Sequence, residues 1–278
     1  MDFDKDSIKK STNDIVSTIL SSRDDSSDGK NNRPRLFWIW IWIVALAITS
    51  LGIVGVYFII KNSNDKIASS YKNSVVSYLN DVHDTASSSG ADPSEISYEV
   101  SKLKFPELVG VSFDSFSEDY KDAKNIEKDT KMAISSLRSK IADCVSVYDF
   151  YNQWKSIENK LTEIGNTASP TTRTYEEFRV ALGSFVLLID NATMPKELVI
   201  YNSELRLSAQ NLYNSWNSLI DAYMANNKIA YSIAFSDYEK NSKLVESSVE
   251  PYKIYYDNLS SKVKSAADGI KIYEESLK

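Results

Sequence analysis

Among 278 residues the sequence carries one histidine and one cysteine. A zinc site built from histidine and cysteine within one chain is therefore excluded. An intramolecular disulfide is impossible. A Ser-His-Asp triad would have to use His83, beside the linker Ser87-Ser88-Ser89-Gly90, and that position reads as a solvated helix end. Cys144 stands in an apolar helical seam and reads as a small core residue, not a nucleophile. There is no Gly-rich phosphate loop and no Gly-x-Ser-x-Gly. No catalytic, cofactor-binding or metal-ligating residue is assigned, and the chain is read as a non-enzyme without a cofactor.

Glycine and proline are also scarce, at eight and six residues. Beyond residue 61, glycine stands only at 90, 110, 165, 183 and 269, and proline only at 93, 106, 170, 195 and 251. Long stretches with neither are what a helical domain needs. Strand patterns are almost missing. The best is Val109, Val111 and Phe113, too short to build a sheet.

Charge is missing from one stretch, Leu36–Ile60. A helix needs about 20 apolar residues to cross the roughly 30 Å hydrocarbon core, and this run exceeds that. It is too long, and starts too late, for a cleaved signal peptide. The expectation is a signal-anchor helix in membrane lipid. Its interfacial residues would be Arg35, Trp38, Trp40 and Trp42 at one end, and Tyr57 and Lys61 at the other. Four basic residues lie in the 15 before the run and three in the 15 after it. With the short leading tail, this favours a cytoplasmic N-terminus and a C-terminal domain outside, single-pass in the cell membrane. Gly52 and Gly55 have GxxG spacing, one residue short of the GxxxG dimer motif.

The tail 1–35, rich in Asp, Ser, Asn and Lys, reads as disordered. It balances seven acids against seven bases, so the net charge of −6 belongs to residues 61–278. A mildly acidic domain does not attract nucleic acid.

What is present is helical periodicity. Residues 61–113 read as a juxtamembrane helix, a linker and a short helix opened by Asp92-Pro93-Ser94-Glu95. Residues 114–278 read as a helical bundle. Ser115–Ile164 is expected as one helix, with Ser115 and Glu118 spaced as a capping box. Its apolar residues keep 3-4 spacing as Ile134, Leu137, Ile141, Cys144, Tyr148 and Tyr151. They then shift by one residue to Phe150, Trp154, Ile157, Leu161 and Ile164. One residue is about 100° of helix, so the two halves should face different partners or a wider core.

Thr174 and Glu177 suggest a second capping box, opening an apolar helix that should be the most buried. A further helix follows Met194-Pro195, with Leu198, Tyr201, Leu205, Leu212, Trp216, Leu219 and Tyr223 on one face. The last stretch alternates spacings of 4 and 3 from Tyr231 through Phe235, Tyr252 and Ile270 to Leu277. It predicts one helix over 228–277, kinked at Pro251. The two long helices match in length, which predicts an all-α, elongated antiparallel bundle with coiled-coil-like packing.

Acids cluster at Glu118, Asp119 and Asp122, at Glu176 and Glu177, and at Glu274 and Glu275. The first two clusters fall in expected first helical turns, where acids complement the helix dipole. A hydrolase using paired carboxylates needs only two such groups facing one cleft. The 17 tyrosines fill wide helix gaps or, alternatively, line an aromatic ligand groove. Asn191 and Asn258 head glycosylation sequons, at a frequency near chance. The chain is thus expected to be a membrane-anchored, extracytoplasmic interaction or scaffold module. It would engage a protein partner, or a copy of itself, through its helical seams. A sensor or small-ligand module is the alternative.

Overall fold

Long stretches free of glycine and proline fold as helix throughout. The computed structural model describes residues 33–88, 92–110, 117–166 and 171–278, with the side chains of 33–38 left aside. These residues form α1 (Arg33–Ala86), α2 (Pro93–Lys102), α3 (Glu118–Gly165), α4 (Thr172–Asn191), α5 (Val199–Met224), α6 (Lys228–Asp257) and α7 (Leu259–Leu277). No strand occurs among the described residues. The expected tail disorder, Val111 and Phe113 of the strand pattern, and the proposed cap Ser115 all lie outside them. The chain divides between Ile59 and Ile60 into two compact units.

In the first unit α1 is apolar all round. Its best 18-residue window has a mean hydropathy of 2.5 and no buried residue. It is long and apolar enough to cross a membrane. Thr49 donates to the carbonyl of Ala45 and Ser50 to that of Ala47, at 2.8 and 2.9 Å. The helix thereby satisfies its own hydroxyls, as a hydrocarbon surrounding requires.

The second unit is built on two levels that share α3. At the first level the later part of α1 buries Ala68, Tyr71, Val75, Tyr78, Leu79 and Val82. It packs beside α3, with Ser117 donating to Asp65 at 2.6 Å. It also packs beside α7, with Lys271 donating to Asn80 at 3.1 Å. At the second level α4 and α5 take the place of α1. Trp154 of α3 meets Phe185 of α4 with ring centres 4.1 Å apart, and Phe178 of α4 meets Trp216 of α5 at 4.2 Å. α5 and α6 form an antiparallel hairpin, joined by Ser208–Ser248 at 3.1 Å and by Asn241 to Ser215 at 2.6 Å. The one-residue shift of the α3 seam thus has the expected cause. Ile134 and Leu137 sit at the level of α1 and α7, while Trp154 sits at the level of α4.

Local chemistry sets the helix ends. Asp92 accepts from the Glu95 N–H at 2.8 Å with Pro93 in the first turn, as its spacing predicts. Ser117, not Ser115, caps α3 by accepting from the Tyr120 N–H at 3.0 Å. The box at α4 also shifts. Thr171 caps the helix, and Thr174 reaches back to the Thr171 N–H at 3.0 Å. Hydroxyls serve this role as well as carboxylates do, so the helix opens three residues early and Glu176 and Glu177 fall outside its first turn. Nor is α4 buried all round, since Val180 and Leu187 are exposed. Gly110 makes a close approach to a side chain. A Cβ there would stand 2.8 Å from the Tyr120 ring.

The last stretch is two helices, not one. α6 passes through Pro251 without ending, and the interruption comes at Asn258, which closes α6 and opens α7. Its dihedrals, φ −103° and ψ 6°, lie close enough to helical that the seam keeps phase. The chain does not reverse. Tyr273 hydrogen-bonds Thr130 at 3.2 Å, and the Tyr252 ring lies 5.1 Å from that of Phe150. Moving back along α7 and α6 therefore moves forward along α3 at the same pace, across both Asn258 and Pro251. The seam also departs from its expected course at its start. Phe235 is 42 % exposed and Ala234 is buried in its place.

Glu274 is the one buried acid among the described residues, 1 % exposed. Lys278 lies 2.5 Å from its Oε1 and Lys271 2.6 Å from its Oε2, the latter without hydrogen-bond alignment. The two ammonium groups hold its carboxyl below the usual range. A depressed folded-state pKa stabilises the fold above the unfolded value and loses that effect as pH falls through the folded one. Glu274→Gln should therefore cost about 2 kcal/mol near neutral pH. The difference from the parent chain should shrink as the pH falls below the unfolded carboxyl value and through the lowered folded one, as read by urea unfolding at each pH.

Candidate functional site

The expected interfacial residues are placed in part. Trp40, Trp42 and Lys61 are exposed, and Tyr57 is 38 % exposed with the Phe58 ring edge-on at 5.8 Å. Seventeen residues of helix separate Trp40 from Tyr57, about 25 Å, close to the roughly 30 Å hydrocarbon thickness. The side chains of Arg35 and Trp38 lie outside the described residues.

Where the two levels of the second unit meet, Glu197 of the α4–α5 loop, the middle of α3, the end of α6 and the start of α7 line an open cavity of about 350 Å³. Cys144, Tyr255 and Ala266 line it together with Lys140, Asp143, Glu197 and Lys262. Lys262 pairs with Glu197 at 2.7 Å and covers the Tyr255 ring at 4.2 Å. Tyr255 beside Cys144 acts to lower the thiol pKa. Burial nevertheless pushes the thiol up to about 11. A thiol in that range stays protonated at neutral pH and is a poor nucleophile. The cavity has two cations, two anions and an apolar floor, which suits binding more than bond-making.

The other constellations do not assemble. The two ring nitrogens of His83, in the last turn of α1, face the exposed Asp84 at 3.1 Å and Asp268 at 3.6 Å, with no serine nucleophile assembled beside it among the described residues. Glu176 pairs with Arg179 and Glu177 with Arg173, while Glu118 and Asp119 are exposed in the first turn of α3. No group of three potential metal ligands occurs among the described residues. Both sequon asparagines use their side-chain amides at helix ends. Asn191 donates to Leu187 and Asn258 to Ile254.

Three tyrosines do collect, at the end of the second unit away from residue 60. Tyr175 lies 5.0 Å from Tyr223 at a tilt of 45°, Tyr223 lies 6.5 Å from Tyr231, and Tyr231 stacks on Phe235 at 6.3 Å. Around this ladder the α5–α6 turn exposes Tyr223 (48 %), Met224 (62 %), Ile229 (77 %) and Ile233 (61 %). Periodicity assigned Tyr223, Tyr231 and Phe235 to seams. The hairpin outruns its neighbours and leaves them partly or fully uncovered. The flanking Met224, Ile229 and Ile233, off the seam pattern, carried the missed signal. No family model, curated protein or solved structure matches this chain.

Proposed function

We propose that this protein is a non-catalytic interaction module, tethered by residues 36–60 with its N-terminus cytoplasmic and its helical domain outside the cell membrane. In this reading the domain is an elongated bundle with coiled-coil-like seams, and its α5–α6 turn is the contact surface. The observation that carries the reading is the cluster of exposed Tyr223, Met224, Ile229 and Ile233 at one end of the unit. Contiguous exposed apolar side chains of this kind mark protein interaction sites. Aromatic and Met residues, which enrich interface cores, predominate with Ile at this turn. A photoreactive residue at Ile229 in the membrane-bound chain should give one dominant crosslinked protein species, lost on Ile233→Asp. Labelling no stronger than from Ile272, exposed on α7, would end this reading.

The cavity beside Cys144 supports a second reading, a small-ligand module. A ligand seated there should raise the melting temperature and protect a Lys262→Ala chain far less. A thermal-shift screen without any stabilising compound would remove its support.

A further inference from the structure

The cavity beside Cys144 is lined by two pairs of opposite charges, and only one pair is engaged. Lys262 and Glu197 bind each other, and Lys262 also covers the Tyr255 ring. Lys140 and Asp143 stand one turn apart on the face of α3 that lines the cavity. They form no ion pair with each other or with any described residue. Lys155 and Glu158, in the same order and spacing on the same helix, do pair, at 2.5 Å. The hydroxyls on the α7 side are equally uncommitted. Ser146, Ser184, Ser218 and Ser247 each donate to a carbonyl three or four residues back. Ser261 and Ser265, which line the cavity, make no hydrogen bond with any described residue. Cys144 and Ala266, 2 % and 7 % exposed, form the apolar floor.

We infer that this cavity binds a zwitterionic α-amino acid with an apolar side chain, its carboxylate on Lys140 and its ammonium group on Asp143. The inference rests on the small-ligand reading above and names the ligand class. Three observations select that class. The charges of the lining balance, so an anion would meet Lys140 but face Asp143 as a like charge, and a cation would do the reverse. A zwitterion matches both. Residues three apart on a helix hold their Cβ atoms about 5–6 Å apart, so the two ligand charges must lie close together, as they do on one α-carbon. The volume of about 350 Å³ is at the small end of the roughly 300–1,000 Å³ that ligand pockets span, which suits a single small metabolite. Ser261 and Ser265 add hydroxyl donors for the carboxylate, and the floor of Cys144 and Ala266 receives the side chain.

Calorimetric titration of the full chain in lipid nanodiscs near neutral pH supplies the test, with L-leucine as the probe. Leucinamide lacks the carboxylate and 4-methylpentanoate lacks the ammonium group, so each should bind at least tenfold more weakly than L-leucine. In the Asp143→Asn chain L-leucine should lose its advantage over 4-methylpentanoate. In the Lys140→Gln chain it should lose its advantage over leucinamide. Neither side chain has an ion-pair partner to lose, so both variants should keep the parent's melting temperature. Asp149→Asn, exposed further along α3, is the control and should bind as the parent does. Absence of L-leucine binding to the parent, or binding no tighter than that of the two analogues, would overturn the inference. So would the parent's preference persisting unchanged in both variants. The thermal-shift screen separates this inference from the reading it rests on. A compound that is not a zwitterion, yet stabilises the parent and not the Lys262→Ala chain, keeps the small-ligand reading and removes this one.

Discussion

Phe185→Ala should destabilise the second unit by about 4 kcal/mol and lower its melting temperature by roughly 10 °C. Phe185 is fully buried, and the Trp154 ring lies 4.1 Å from it. Truncation removes that contact and the transfer free energy of the ring. The surroundings cannot close the gap, because Trp154 sits on α3, which is committed at both levels. The same feature predicts how the loss is distributed. α3 crosses from the α1–α7 level to the α4–α5–α6 level without interruption. Opening one level frays a helix the other needs, so the unit should unfold in one step. Trp154 and Trp216 report only the second level. The three tryptophans of the apolar stretch add a background that the transition does not move. Tryptophan fluorescence and far-ultraviolet circular dichroism should therefore give one midpoint for the parent and one, shifted, for Phe185→Ala. Fluorescence melting well ahead of helicity would show that the levels fold separately.

Which features were legible in the sequence follows from what periodicity measures. Spacing reports which side of a helix is buried. It therefore located the apolar stretch, α2 with its Asp92 cap, and the change of seam along α3. Spacing is blind to an interruption that keeps phase. Asn258 has near-helical dihedrals, so Leu259 and Val263 continue the line of Tyr252 and the break leaves no trace in the pattern. Pro251 was the visible irregularity and proved harmless to helix continuity. Spacing is equally blind to helix ends that outrun their partners, which is why Phe235 and Tyr223 were placed inside. Nor could it show the cavity, since Cys144, Glu197, Tyr255 and Lys262 come from three separate places in the chain.

The hydroxyl of Tyr252 should be dispensable although its ring is not. Tyr252 is 0 % exposed, and its ring packs 5.1 Å from that of Phe150. Its hydroxyl has no hydrogen-bond partner. A buried polar group without a partner costs roughly 1–3 kcal/mol of desolvation that nothing returns. Tyr252→Phe keeps the ring and removes that penalty, so it should stabilise the chain by about 1 kcal/mol. Tyr252→Ala removes the ring as well and should cost about 4 kcal/mol through the cavity it leaves at the α3–α6 contact. The two variants should also differ in alkali. Burial pushes the Tyr252 hydroxyl up to about 12. A folded-state pKa above the unfolded value of about 10 means that the unfolded chain loses its proton first. The associated stability is present below pH 10 and is lost as the pH rises toward 12. Tyr71 and Tyr255 are shifted in the same direction by burial and keep part of this dependence in any single variant. Urea unfolding between pH 8 and 11 should therefore show the advantage of Tyr252→Phe growing above pH 10. A Phe variant less stable than the parent at pH 8 would mean that the Tyr252 hydroxyl is satisfied in solution, most simply by a bound water, and that this contact is wetter than its burial indicates.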